Sequence, residues 1–378
     1  MINKNKKKKI KVAFPHMGTI SIAWSAGLRK IGVEPYVQPY TSKRTLSLGT
    51  KNSPEAICLP YKLILGNFIE AIEGGADYVA MITAPGCCRL GEYGGSIYSS
   101  LKDLGYNANY IEVSLYDGLR GFYNFLKKLI GRNDPILIMR ALNITIRKVF
   151  AIDDLDKALS YYRAREIHFG DAEKNYKKAI KIIDKVESTR DLKQAYNKAL
   201  AEIEKTEIDE TREVLYVDLT GEIYLVNDEF SNQYIERELG RMGVQTRRSL
   251  TVGSFLKDAI IPKAFQNKET HLQRAERMAK PYLMRDIGGD ALECVSDVVF
   301  AESKGKDGII HISPFTCMPE IMSQNIFPSI RNDHDIPLLA LIMDEQTGRA
   351  GYITRLEAFV DLMRRKKRAN AAKNKTRI

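Results

Sequence analysis

Short apolar runs alternate with helical patterns at the start of this chain, and that alternation limits the possible folds more than any other feature. The predicted strands are residues 10–14, 33–38, 78–82 and 109–113, and the predicted helices between them cover about 21–31, 60–74 and 97–104. Parallel strands need a crossover of a dozen or more residues, usually a helix. The pattern therefore predicts an α/β fold with a doubly wound parallel sheet.

A glycine-rich stretch, residues 83–95, follows an apolar run and is too rich in glycine to continue a regular element. We interpret it as the loop at the carboxyl end of a buried strand, where open α/β sheets bind their ligands. Cys87 and Cys88 lie on this loop beside Arg89. Another thiol, Cys58, directly precedes a predicted helix, where the helix dipole lowers a thiol pKa and favours thiolate ligation.

The second half of the chain repeats the pattern of the first half. Residues 77–87 align without gaps with residues 307–317, so that an Asp, a buried strand, a Thr or Ser and a loop cysteine coincide. Cys58 and Cys294 also form a pair, because each is predicted to precede the helix before one of these strands. The chain therefore looks like a duplicated α/β unit, and two such domains across a cleft could bring four or five sulfurs together.

Two other segments have a different character. Residues 39–54 are polar and are predicted to be irregular, and residues 119–209 show apolar side chains at helical spacing with abundant Lys and Glu. The latter is predicted to be a helical insertion, with a break near Gly170, that serves as a packing or dimerisation arm. The predicted organisation is a basic N-terminal tail (1–9), a first α/β cysteine-bearing domain (10–118), the helical insertion (119–212), a second α/β cysteine-bearing domain (213–351), and a C-terminal helix with a basic tail (352–378).

The net charge of +11 comes from the two ends of the chain. Residues 1–11 contain six lysines and residues 364–377 contain eight Lys or Arg, with no acidic residue in either stretch. Setting these 14 aside from the 58 basic residues leaves 44 against 47 acidic ones, so the body of the protein is slightly acidic. Solvated basic tails are the simpler interpretation, and nucleic-acid binding is the less favoured alternative.

The composition also predicts where the cysteines function. The chain has no run of about 18 apolar residues and no signal-peptide pattern at its start, which predicts a cytoplasmic protein with no membrane association. Cytoplasmic thiols are usually reduced, and metal ligation or redox chemistry is then a more common role than a structural disulfide.

The spacing of the cysteines leaves three interpretations open. No paired C-x-x-C repeat is present, so the sequence does not fit a zinc ribbon. An iron–sulfur cluster, which needs three or four thiolates that can be distant in sequence, is favoured over thiols packed as small apolar groups and over a redox pair of Cys87 and Cys88. Backbone amides that could donate to inorganic sulfide belong to Gly86, Gly91, Gly94 and Gly95.

Other candidate residues carry weaker signals, and no phosphate-binding glycine motif is present. His16 follows the first strand and is interpreted as a hydrogen-bonded loop histidine with cleft lining as the alternative, whereas His311 is expected in the core. Glu320 lies at a predicted helix start, where a carboxylate caps the dipole, and a catalytic role is the alternative. Lys62 and Arg89 could offset the charge of a thiolate-bound cluster or bind an anionic substrate, or serve as ordinary surface cations.

Several of these motifs together resemble the 2-hydroxyacyl-CoA dehydratase superfamily and, within it, the acyl-CoA dehydratase activase-related proteins. The resemblance covers most of both predicted domains and excludes the tails. The segments that carry it are Cys58-Leu-Pro60-Tyr-Lys62-Leu63, Cys88-Arg89-Leu-Gly91-Glu-Tyr93, Gly221-Glu-Ile-Tyr-Leu-Val-Asn227 and Pro314-Phe-Thr-Cys317-Met-Pro319.

The resemblance implies a cytoplasmic protein with two flavodoxin-like lobes that hold a 4Fe-4S or related cluster between them. Cys58, Cys88 and Cys317 match as the first choice of ligands, with Cys294 as a fourth candidate; Cys87 occupies a place where relatives commonly have another residue. In the dehydratases, a separate ATP-hydrolysing activase injects one low-potential electron, and the cluster passes it to a 2-hydroxyacyl-CoA thioester as water leaves. This chain lacks the activase's own ATP-binding domain, so the activase is expected to be a separate partner.

The expected function is therefore an iron–sulfur lyase or reductase component that passes electrons to a small, CoA-linked substrate, with Arg89, Lys62 and Glu320 as catalytic candidates. A non-catalytic subunit, in which the cluster only stabilises a partner-binding scaffold, is the alternative. A homodimer is compatible with either function.

Overall fold

A computed structural model describes residues 10–84, 88–114, 116–260 and 269–376. Within these ranges the chain forms two four-stranded sheets, and every strand pair in both sheets is parallel. The predicted α/β class with two doubly wound, flavodoxin-like parallel sheets is confirmed. The first lobe contains β1 (Lys11–Ala13), α1 (Ile20–Lys30), β2 (Glu34–Tyr36), α2 (Lys43–Lys51), α3 (Leu59–Glu73), β3 (Tyr78–Thr83), α4 (Tyr93–Asp103) and β4 (Asn109–Ser114).

The second lobe follows a group of connecting helices. These helices are α5 (Leu119–Ile130), α6 (Pro135–Arg163), α7 (Asp171–Asp184) and α8 (Thr189–Ile203). The second lobe contains β5 (Leu215–Gly221), α9 (Ile223–Asn227), α10 (Ile235–Arg241), β6 (Val244–Arg248), α11 (Val252–Ile260), α12 (His271–Ala279), α13 (Ala291–Ser303), β7 (Gly308–Pro314), α14 (Met318–Asp333), β8 (Leu338–Met343) and α15 (Arg349–Thr376).

The two sheets share one topology. Their strand orders are β2-β1-β3-β4 and β6-β5-β7-β8, so each strand of the first lobe has a counterpart in the second. The aspartates that align in sequence also make equivalent hydrogen bonds. Asp77 accepts a hydrogen bond from the backbone N–H of Lys11 at 2.9 Å, and Asp307 accepts one from Tyr216 at 2.8 Å. Each carboxylate therefore fixes the start of the sheet's first strand, as expected for a repeated unit.

The insertion is helical, as predicted, and Gly170 breaks it with a φ of +95° immediately before α7. Its longest helix, α6, packs against α1 in the first lobe and against β6, α10 and α11 in the second. Near its C-terminal end, Ser160 donates to the backbone carbonyl of Thr246 at 2.6 Å. The insertion thus joins the two lobes and supports their relative position.

Two predictions about local structure are wrong. The polar passage before Cys58 is not irregular, because it contains α2, which begins with a capping box between Ser42 and Thr45. Cys294 does not precede its helix, because it lies in the first turn of α13, where its N–H donates to the Asp290 carbonyl. The pairing of Cys58 with Cys294 therefore does not extend to their helix positions.

The last helix extends into the basic C-terminal segment. On α15, Tyr352, Leu356, Phe359 and Val360 are buried in the core of the second lobe. Within the described ranges, no helix combines the length and apolarity needed to cross a bilayer. The predicted basic tail at residues 1–9 lies outside the described residues.

Candidate metal centre

Three cysteines occupy the same position at the start of a helix. Cys58 is the N-cap of α3, Cys317 is the N-cap of α14, and Cys88 is the N-cap of a 3₁₀ turn, Arg89–Glu92. In α3 and α14 a proline follows within the first two helical positions, where its missing N–H costs nothing. The local sequence therefore places each thiol at the positive end of a helical turn.

A backbone N–H faces each of these sulfurs and lowers its thiol pKa: that of Tyr61 for Cys58, Leu90 for Cys88 and Glu320 for Cys317. Burial acts in the opposite direction and is the larger influence. It raises the pKa of all three thiols, that of Cys88 to about 12. Without a bound cation the thiols are therefore neutral near pH 7.

The three thiols are also close enough to influence one another. Burial is the largest cause of their raised pKa values. Negative charge on Cys58 further raises the pKa of Cys88, and negative charge on Cys88 further raises that of Cys317. Cys58 and Cys88 come from the first lobe and Cys317 from the second. The fold thus gathers the three cysteines that the sequence ranks first at the interface between the lobes.

Two carboxyl groups, Glu222 and Asp290, lie near the thiols. Glu222 is 3% exposed, and burial raises its pKa to about 7. The charge of Glu222 adds to the effect of burial on all three thiols, and Asp290 acts in the same way on Cys88. A cation would therefore find at this position both soft donors and negative charge.

Hydrogen bonds and an ion pair join the two lobes beside the cysteines. Arg89 donates to the carbonyl of Thr316 at 3.0 Å, and the Thr316 hydroxyl donates to the carbonyl of Ala56 at 3.2 Å. Lys62, which is 1% exposed, forms an ion pair with Glu345 at 2.6 Å. The predicted catalytic candidates Arg89 and Lys62 thus both hold the lobes together, and Arg89 also lowers the pKa of Cys58 against the effect of burial.

A glycine lets the lobes approach at Cys88. Gly289 has a φ of +65°, and an added Cβ would lie 2.6 Å from Cγ of Pro319 and 3.3 Å from Cβ of Cys88. Any larger residue would have to displace one of these neighbours, besides adopting an unfavourable backbone conformation. Gly289 therefore packs tightly between Pro319 of the second lobe and Cys88 of the first.

A cavity of about 290 Å³ opens beside Cys88. Its walls are mostly apolar and come from both lobes, with Asp290 at the same end as Cys88 and Gly289. Representative lining residues are Trp24, Ala80, Ile82, Phe122, Tyr224 and Leu256. Protein interiors rarely leave such space unfilled, and a largely apolar pocket with few polar groups is typical of a small-molecule site.

The remaining predicted residues have other surroundings. His16 is buried, with its Nε2 2.6 Å from the carbonyl of Gln38, whereas its Nδ1 has no hydrogen-bond partner among the described residues. Cys294 lies inside the second lobe, where its thiol donates to Glu320 at 3.3 Å, and Glu320 also contacts the buried His311. Cys87 falls outside the described residues.

Sequence reasoning missed three groups at this centre: Glu222, Asp290 and Tyr93. The hydroxyl of Tyr93 lies 2.6 Å from the Cys58 sulfur, although 35 residues separate them. Glu222 and Tyr93 each lie within a segment that carries the family resemblance, and that position was the available signal. Their proximity to the thiols depends on packing between elements that are distant in sequence.

Comparison with known proteins adds no assignment. No protein-family model matches the chain, and no curated protein matches it.

Proposed function

We propose that this chain is an iron–sulfur protein of the 2-hydroxyacyl-CoA dehydratase type. In this proposal the protein is cytoplasmic, a separate ATP-dependent activase supplies low-potential electrons, and a small CoA-linked substrate receives them. The observation that carries the proposal is that Cys58, Cys88 and Cys317, each at an N-cap, lie near one another at the contact between the lobes, where Arg89 bonds to Thr316 and Thr316 bonds to Ala56. The sequence resemblance supplies the substrate class and the partner.

The residues present fit a thiolate-bound cluster. Three thiols from two lobes match the number that an iron–sulfur cluster needs when its fourth iron takes a non-cysteine ligand. Each sulfur already faces a backbone N–H, and such N–H groups stabilise thiolates around a cluster. Binding of iron would release the protons that burial retains on the free thiols.

The chain's own residues would tune and protect such a cluster, which, when bound, supplies one-electron transfer. Glu222 and Asp290 lie near the thiols, and in their ionised forms their negative charge would disfavour an added electron and so lower the reduction potential. The apolar cavity beside Cys88 would hold the apolar part of a substrate and limit the access of water.

A purely structural cluster is less consistent with the interface. The Lys62–Glu345 ion pair and the hydrogen bonds of Arg89 and Thr316 already join the lobes using protein groups alone. Part of the hydrophobic core is also continuous across them, since Leu63 and Leu219 belong to one buried cluster. A scaffold built on these contacts would not need a cluster, whereas electron transfer would.

The first test is anaerobic purification followed by iron and acid-labile sulfide analysis, with EPR spectra before and after dithionite. We expect about four irons per chain and a reducible chromophore. Cys58→Ala, Cys88→Ala and Cys317→Ala should each lower the iron content at least several-fold, and Cys294→Ala is the matched control that should retain it. A folded, colourless, iron-free protein after anaerobic reconstitution would contradict the proposal.

A further inference from the structure

A second group of metal-ligating side chains lies inside the second lobe. Cys294 on α13, His311 on β7 and Glu320 on α14 place their sulfur, imidazole nitrogen and carboxylate oxygen within 4.8 Å of one another. The side chains come from three different elements, and none is more than 1% exposed. Among the described residues, this is the group whose ligand atoms converge this closely on one point.

Hydrogen bonding alone leaves the group poorly satisfied. The imidazole Nε2 of His311 and the thiol of Cys294 both approach the same atom, Oε2 of Glu320, at 2.5 and 3.3 Å. The other carboxylate oxygen of Glu320 and Nδ1 of His311 are buried without a hydrogen-bond partner among the described residues. Buried polar atoms are rarely left in this state, and each such case calls for an explanation.

The surroundings favour a cation over a further anion. The Thr220 hydroxyl lies 3.5 Å from the Cys294 sulfur and donates to Asp297 at 2.9 Å. Asp297 is compensated by its own partner, Arg274, at 3.0 Å. No comparable basic side chain is recorded against Glu320 in the described part of the chain, apart from His311 itself.

We propose that Cys294, His311 and Glu320 form a mononuclear Zn²⁺ site, separate from the centre between the lobes. Sulfur, imidazole and carboxylate donors together match zinc, which accepts all three types in a tetrahedral site. The ion would take the place of the two hydrogen bonds that His311 and Cys294 make to Oε2 of Glu320. Its binding would release the thiol proton of Cys294. A water molecule or the second Glu320 oxygen completes the coordination, since three protein ligands leave one position of the tetrahedron.

Glu320 reaches both centres, because its backbone N–H faces the Cys317 sulfur. The cysteine ligands differ, so a crossed set of cysteine variants separates the two sites. The full-length protein, produced with zinc in the growth medium, is analysed for zinc and iron per chain. We expect about one zinc in the wild-type protein and a loss of at least tenfold in Cys294→Ala, with the iron content unchanged. Cys58→Ala is the matched control: it should lose iron and retain zinc.

Cobalt substitution provides a second readout that does not depend on full occupancy. Co²⁺ bound to the wild-type protein should show a thiolate-to-cobalt charge-transfer band, which Cys294→Ser abolishes while circular dichroism stays unchanged. The proposal is overturned if folded wild-type protein binds neither ion, or if zinc persists in Cys294→Ala. A loss of iron in place of zinc in Cys294→Ala would also overturn it and would make Cys294 a cluster ligand.

Discussion

At the scale of single residues, burial decides the charge state of the groups that matter most. The thiols of Cys58, Cys88 and Cys317 are raised in pKa by burial, although each stands at a helix start that favours a thiolate. The sequence predicted the helix position of Cys58, whereas it predicted Cys317 only as a loop cysteine after a strand. It could not predict the burial, which depends on packing between elements that are distant in sequence.

Lys148 offers a test of how strongly burial acts in this protein. Its side chain is fully buried on α6, where Nζ donates to the Asp184 carbonyl at 3.0 Å, and burial lowers its pKa to about 8. Because this pKa lies below the unfolded value of about 10.4, the charged lysine destabilises the fold below pH 8, and the penalty disappears as the pH rises towards 10.4. Lys148→Met should therefore raise the unfolding free energy by about 1–3 kcal/mol at pH 7. This figure already subtracts the hydrogen bond that the variant loses.

The measurement is urea denaturation of the wild type and Lys148→Met at pH 7 and at pH 10. The advantage of the variant should shrink at the higher pH. Lys177→Met, at an exposed position on α7, is the control and should change stability little at either pH. An advantage that does not depend on pH would show that packing, and not the buried charge, separates the two proteins.

At the scale of elements, close helix packing positions the thiols. Helices α2 and α3 approach so closely that a Cβ on Gly49 would lie 1.7 Å from the Lys62 carbonyl oxygen. A Cβ on Gly66 would similarly lie 2.0 Å from the carbonyl oxygen of Thr45. No helix was predicted for α2 because Ser, Thr and Gly are weak helix formers, and the contact with α3 overrides that local preference.

Gly49→Ala should therefore displace α3, which begins at the Cys58 N-cap. We expect a loss of about 3 kcal/mol or more in unfolding free energy, because backbone atoms cannot rotate out of the way as a side chain can. The iron content should fall with it. Gly95→Ala is the matched control, since an added Cβ on this exposed glycine of α4 meets no described atom within 4 Å.

The unfolding free energy of Gly95→Ala should be unchanged or higher by about 0.5–1 kcal/mol, because alanine is the better helix former. Thermal denaturation and iron analysis of both variants provide the comparison. Equal stability of Gly49→Ala and Gly95→Ala would contradict the assigned α2–α3 contact.

At the scale of the whole molecule, two lobes of one topology face each other, and the candidate centre lies where they meet. The repeated Asp-strand pattern was enough to predict the paired sheets, because Asp77 and Asp307 serve the same backbone role in each. The position of Cys294 was not predictable from this repeat. Helix α13 begins three residues before Cys294, and the thiol lies beside His311 and Glu320. Differences between the two copies therefore separate Cys294 from the three thiols between the lobes.

The ion pair between Lys62 and Glu345 tests how the lobes are joined. Glu345→Gln would leave the buried Lys62 ammonium without a carboxylate partner, facing only neutral acceptors such as the Glu55 carbonyl. We expect a loss of about 2–4 kcal/mol in unfolding free energy, because an unpaired buried charge is costly. Urea denaturation of Glu345→Gln and of the double variant Lys62→Met with Glu345→Leu checks this.

The double variant should recover most of the loss, since it removes both charges from the interface. If Glu345→Gln alone leaves stability unchanged, the pair does not hold the lobes together.

The most direct test of the central claim is diffraction at the iron absorption edge from crystals of the anaerobically purified protein. The account predicts a compact iron peak between the lobes, bonded to the sulfurs of Cys58, Cys88 and Cys317. An intact lobe interface with no iron at these sulfurs would contradict it.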